Sequence, residues 1–180
     1  MMEIPVELVP LNCLRCGTPI PAKVEEVAWV CSQCDQGQQL VDDGLTSLEI
    51  HYSERIKPTQ IGSPYWACEG RVTINRQTYG SFRKKTSDAM RFWDQPRLFI
   101  IPAFPYEIEE FARLGVQWLQ KPPSLAPGPA VVFKPVTVAA DDVNAWAEFL
   151  VMALEAERKD KVKKVVFNLE LKDPRLWILP

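Results

Sequence analysis

The chain has 180 residues, 47% of them hydrophobic, a formal net charge of −2 and one histidine. That is enough apolar material for one core of about 130 residues beside a small satellite unit, without disulfides. No run approaches the roughly 18 apolar residues of a membrane span, and residues 1–10 carry Glu3 and Glu7 with no basic start to an apolar stretch; they do not read as a signal peptide, and the expected compartment is the cytoplasm.

The first chemistry met along the chain is two CxxC pairs, Cys13/Cys16 and Cys31/Cys34, with fourteen residues between them. A CxxC turn lets two thiolates face one ion, and two such turns complete a closed tetrahedron about one zinc. Gly17 and Gly37 stand where positive φ is expected around a metal, Thr18–Ile20 and Val27–Val30 can supply hairpin strands, and Trp29 is placed to pack beside them. Two disulfides or an iron centre are the competing readings; CxxC disulfides close too small a loop to staple a fold, and no thioredoxin-like unit surrounds these pairs. Over residues 10–40 the arrangement resembles a zinc ribbon. The resemblance implies one structural Zn2+ on Cys13, Cys16, Cys31 and Cys34, and brings no activity with it. The expected division is a ribbon over 1–44 and a core domain over 45–180.

Charge is uneven along the chain. Residues 1–45 carry two basic against seven acidic side chains, a poor grip for phosphate, whereas residues 54–97 carry nine basic against four acidic. Arg83, Lys84 and Lys85 are the densest point. With Tyr79, Phe82, Phe92 and Trp93 nearby for stacking they could contact nucleic acid, although a short charge run is more often a solvated loop.

Beyond the cysteines the pattern predicts an α+β domain with a mixed or antiparallel sheet and two main helices. Thr46–Ile56, Tyr65–Ile74 and the apolar run Arg97–Phe104 read as strands. Ile108, Phe111, Ala112, Gly115, Trp118 and Leu119 recur at helical spacing after Pro105. The four prolines of 121–129 make a stiff crossover arm, and Val131–Val138 reads as another strand. Asp141 is the expected cap of a helix running to Arg158, striped by Trp146, Phe149, Leu150, Ala153 and Leu154. Lys163–Leu171 alternates, Lys172-Asp173-Pro174 turns, and Arg175–Pro180 is expected to close a hairpin. Residues 97–102 (Arg-Leu-Phe-Ile-Ile-Pro) are echoed by 175–180 (Arg-Leu-Trp-Ile-Leu-Pro), which raises two related αβ halves. Pro64-Tyr65-Trp66, residues 101–104 and the closing Ile178-Leu179-Pro180 also look like features of uncharacterised bacterial proteins headed by a zinc ribbon.

Enzymatic parts are scarce. His51 is the single histidine and falls in an alternating run, the glycines are scattered with no phosphate-binding loop, and Glu109/Glu110 and Asp141/Asp142 sit at helix starts where the dipole suffices to explain them. Cys68, in Tyr65-Trp66-Ala67-Cys68, reads as a buried strand thiol. Six tryptophans, the proline arm and an apolar final strand favour protein contacts. The sequence-level expectation is a non-enzymatic, zinc-stabilised adaptor or accessory subunit of a larger assembly, with other protein subunits, or a second copy of the chain, as partners. The alternative is a transcription-type nucleic-acid-associated protein using residues 71–97.

Overall fold

The computed structural model describes residues 8–78, 83–158 and 162–180, with side chains described for all of these except 78, 83–87 and 162. The protein is α+β. Two sheets carry the strands, and among the described residues there are three α-helices.

The first sheet belongs to the cysteine region. Strands β1 (Ala28–Val30), β2 (Gly37–Val41) and β3 (Gly44–Ser47) pair antiparallel in the order β1-β2-β3. The expected hairpin from Thr18–Ile20 to Val27–Val30 does not form. Pro19 makes only a single bridge to Asn12, and β1 turns instead to β2, because the second CxxC turn folds the chain straight back on itself. β3 spans residues 44 and 45, so this sheet carries the chain on to Ser47.

The second sheet is built around β5 (Ser63–Thr78), sixteen residues long. Its first half lies between β8 (Arg175–Leu179) and β6 (Arg97–Pro102), and its second half pairs with β7 (Val162–Leu171). The expected C-terminal hairpin is replaced by a different device. β7 and β8 run end to end along one side of β5, with residues 172–174 as the break between Leu171, opposite Gly70, and Arg175, opposite Ala67. Beyond β8, β4 (Ile50–Tyr52) joins in parallel. The apolar last strand is therefore enclosed between β4 and β5 and offers no open edge.

Alternation along β5 divides two apolar clusters, since neighbouring strand residues face opposite ways. Trp66, Cys68, Val72 and Ile74 share one cluster with Phe99 and Ile101 of β6 and Leu176 and Ile178 of β8, under helices α2 (Ile108–Gln120) and α3 (Val143–Glu157). Phe111 of α2 stacks on Phe149 of α3, centroids 5.8 Å apart, and meets Trp146 edge-on. Tyr65, Ala67, Ile100, Trp177 and Leu179 form the other cluster, covered by Phe104, Trp118 and Leu125. Each fully buried Phe or Leu here contributes about 1.5–3 kcal/mol.

The echoed hexapeptides occupy β6 and β8, on either side of β5. Arg97 stands opposite Gly70 and Arg175 opposite Ala67, an offset of three residues. An odd offset reverses the faces: Leu98 and Ile100 point to the second cluster, while the echoed Leu176 and Ile178 point to the first. Like letters thus perform unlike packing.

Three local expectations also need correcting. Val131–Val138 is an extended strap rather than a ladder strand. It bridges Gly62, just ahead of β5, through Phe133 and Ala28 of the first sheet through Val136, and so ties the two sheets together. Asp141 lies inside a 3-10 turn, Ala140–Asp142, and α3 has no side-chain cap. Helix α1 (Arg83–Trp93) occupies a segment expected to be loop; its Ala89 and Trp93 are buried against β5. No helix among the described residues is long and apolar enough to cross a membrane.

Candidate metal centre

The two CxxC turns are copies of one another, eighteen residues apart. In the first, Gly17 N–H donates to the Cys13 carbonyl (2.9 Å), Arg15 N–H to Cys13 Sγ (3.4 Å) and Cys13 N–H to the Thr18 carbonyl (2.8 Å). In the second, Asp35 N–H donates to the Cys31 carbonyl (2.9 Å), Gln33 N–H to Cys31 Sγ (3.4 Å) and Cys31 N–H to the Gln36 carbonyl (2.9 Å). Both turns need a left-handed residue one place after the second cysteine, and Gly17 (φ 73°) and Asp35 (φ 58°) supply it. Gly37, expected to do so, does not have positive φ. It is glycine because a Cβ would collide with the Leu48 carbonyl where the strand meets the main sheet.

These turns bring all four sulfurs within 4.8 Å of one another, with Cys13 to Cys34 at 3.5 Å and Cys16 to Cys31 at 3.6 Å. A zinc tetrahedron with about 2.3 Å bonds has sulfurs roughly 3.8 Å apart, close to this spacing. Disulfides, at about 2.05 Å, are not formed, and all five cysteines are free. The leading cysteine of each pair is buried, while Cys16 is exposed and Cys34 half-exposed.

The surroundings favour anionic sulfur at one edge of the cluster. The Thr18 hydroxyl and then the Thr18 amide draw the Cys16 thiol down to about 6. The backbone beside Cys16, and next that of Arg15, lower Cys13. Against the Gln36 amide, which favours the thiolate, burial and the neighbouring thiols push Cys34 up to about 12. Four thiols this close do not ionise together without a cation, which suits a metal that takes them all as thiolates.

A residue that spacing does not reveal stands within this unit. Gln38, the second residue of β2 and 0% exposed, accepts the Leu14 N–H with Oε1 at 3.1 Å, and its Nε2 is left without a hydrogen-bond partner. An unspent buried donor beside the first CxxC turn suits a cluster that gains negative charge when it takes up a divalent cation.

The other residues singled out by sequence lie apart from the cysteines. His51, in β4, is half-buried and stacks on Trp177 (4.9 Å). Cys68 is buried in β5, and burial pushes its thiol up to about 12, which makes it inert. Arg83, Lys84 and Lys85 open helix α1, and their side chains lie outside the described residues, as do Tyr79 and Phe82. Trp93 is buried with its indole on Glu155 (2.9 Å), Phe92 lies under the Arg97 guanidinium (3.7 Å), and Arg76 Nε meets Glu155 at 2.6 Å. Of the expected stacking residues, Phe92 and Trp93 are therefore engaged inside the fold, as are Arg76 and Arg97 of the basic segment.

No family model, curated protein or solved structure matches this chain.

Proposed function

We propose that residues 10–40 form a zinc ribbon holding one structural Zn2+ on Cys13, Cys16, Cys31 and Cys34, and that the protein is a cytoplasmic, non-enzymatic adaptor or accessory subunit acting through protein contacts. The observation that carries this reading is the closed set of four sulfurs within 4.8 Å, which fills every position of a tetrahedral zinc and leaves none for a substrate. Free thiols accord with a reducing compartment. A groove of about 530 Å³ between the cysteine unit and the strap, bordered by Trp29, Val30, Tyr52, Val131 and Phe133, supports the contact role.

One observation favours the alternative, a nucleic-acid-associated protein. Arg83, Lys84 and Lys85 stand in the first turn of α1, which holds no acidic residue and where the helix dipole disfavours cations, so their charge does not serve to stabilise that helix end.

Elemental analysis of the purified chain tests the metal: one zinc per chain is expected, while iron, or no metal, overturns the site. Tagged protein recovered from native cells, split into nuclease-treated and untreated halves, tests the role. Stoichiometric protein partners that survive nuclease fit the adaptor. Nucleic acid retained without a protein partner, with binding that falls steeply with salt, replaces it with the alternative.

A further inference from the structure

We infer that Gln38 is a positioning residue of the metal centre, whose side-chain amide donates a hydrogen bond to a cysteine thiolate once the metal is bound. The inference rests on the metal reading above. It begins from two facts about one amide group. Oε1 accepts the Leu14 N–H at 3.1 Å, and Nε2, in a side chain 0% exposed, has no partner. The orientation of the amide is fixed by chemistry, because only its oxygen can accept from Leu14.

Leu14 lies between two of the ligands, so the tie fastens the first CxxC turn to β2, the strand that leaves the second. β2 is the middle strand, with Gln38 opposite Trp29 of β1 and Ser47 of β3. Gln38 therefore sets one cysteine pair against the other. The nitrogen of the same amide is about 2.3 Å from its oxygen, which keeps it beside the Cys13-Leu14 turn. A buried donor without an acceptor is destabilising, and native folds rarely keep one idle. Metal loading supplies the acceptor: four thiols lose four protons to a divalent cation, and the cluster carries a net −2 spread over its sulfurs. Arg15 N–H and Gln33 N–H already point at Cys13 Sγ and Cys31 Sγ at 3.4 Å, and the Gln38 amide adds a side-chain donor to these backbone ones. Donors to metal-bound ligands commonly change metal affinity by about 10–100-fold when removed.

The direct test uses the wild-type chain loaded with 113Cd. A through-bond correlation between the metal and a Gln38 side-chain amide proton is expected, beside those of the Arg15 and Gln33 backbone amides. Correlations to those two backbone protons and none to Gln38 overturn the inference. If the chain takes up no cadmium, cobalt or zinc, the metal reading falls first and this one falls with it. A second arm uses the cobalt(II) form of Gln38→Met, which is near-isosteric but has neither the N–H nor the oxygen that accepts from Leu14, so the band energy and not metal retention isolates the donor. A thiolate that loses a hydrogen bond holds its electrons less tightly, so the sulfur-to-cobalt charge-transfer bands move to lower energy and metal retention against a chelator drops about 10–100-fold, while the tetrahedral d–d envelope stays. Bands at the wild-type energy would make Gln38 a tie for the turn alone. Should the variant fail to hold cobalt, the cadmium correlation in the wild-type chain decides.

Discussion

The cysteine unit and the main sheet answer the same physical demand in different ways. The main sheet buries Trp66, Phe99, Phe111, Leu150, Leu176 and Ile178 at 2% exposure or less and has helices to cover them. Across residues 8–47 the buried apolar side chains are Ala28 and Trp29, with the thiols of Cys13 and Cys31. A unit of that size with so little to bury does not overcome the entropy of ordering its chain, and on the proposed reading metal bonds supply what burial cannot. The two regions nevertheless share a seam. Ala28 belongs to the main cluster, Val136 bridges it, and Leu48 and Ile50 pack alongside. The difference teaches that independence of the two regions is a matter of how much of β1 the metal holds and how much the seam holds.

The largest expected effect follows from removing the metal or one ligand. Chelation, or Cys31→Ser, is expected to abolish amide protection over residues 8–47 while β5, β6 and β8 stay protected, since structural zinc sites contribute on the order of 10 kcal/mol to such units. Hydrogen exchange read by mass spectrometry separates the segments. Simultaneous loss from β5 would show that the Ala28–Val136 seam makes the chain one cooperative body, and the comparison drawn above would fail. The complementary change is Phe99→Ala in the main core, where a cavity beside Cys68 and Gly70 is expected to cost about 3–5 kcal/mol in denaturant unfolding. Zinc content per folded chain should not change.

Thiol chemistry sharpens the same contrast. In metal-loaded protein at pH 8 an alkylating reagent should find no reactive cysteine; after chelation four react, and Cys68 reacts only on unfolding. The native Cys68 thiol keeps its proton up to about 12, whereas an unfolded cysteine releases it near 8.5. The native state therefore holds the extra proton between those values, and its stability falls as pH rises through that window. Cys68→Ala, compared with wild type across pH 8.5–11, should flatten that part of the decline. An unchanged slope would assign it to other groups.

The site was legible because CxxC spacing is local: turn, ligand and metal preference all lie within a few residues. Gln38 was not, since nothing in Gly37-Gln38-Gln39-Leu40 tells which glutamine enters the interior; that depends on β1 and β3 closing over it. The order of Asp35 and Gly37 misled for a similar reason, because Gly37 is fixed by the Leu48 carbonyl, a contact made between strands. Long apolar strands such as 97–102 and both main helices announced themselves by period. Helix α1 did not, because its polar first turn hides a short stripe that among the described residues is carried by Ala89 and Trp93, with Phe92 beside them. The end-to-end course of β7 and β8 was also hidden, as a turn-like Lys172-Asp173-Pro174 signals a reversal, and only β5, a hundred residues earlier, shows that the chain continues straight.

The smallest expected effect tests the repeat within the metal site. Asp35 takes a left-handed conformation that costs an L-residue about 1–2 kcal/mol, less for Asp than for most, and Gly17 meets the same demand in the other turn without that cost. Asp35→Gly should therefore raise the stability of the metal-bound unit by about 0.5–1 kcal/mol, and Gly17→Asp should lower it by a similar amount. Metal retention against a graded chelator series reads both. If Asp35→Gly weakens retention instead, the carboxylate has a role beyond the turn. Its position beside Tyr52, whose hydroxyl is raised first by burial and then by the Asp35 charge, would make that the place to look. Equal and opposite shifts would mean that the two turns are energetically as well as geometrically copies, and that the chain meets the same backbone demand by two different residues.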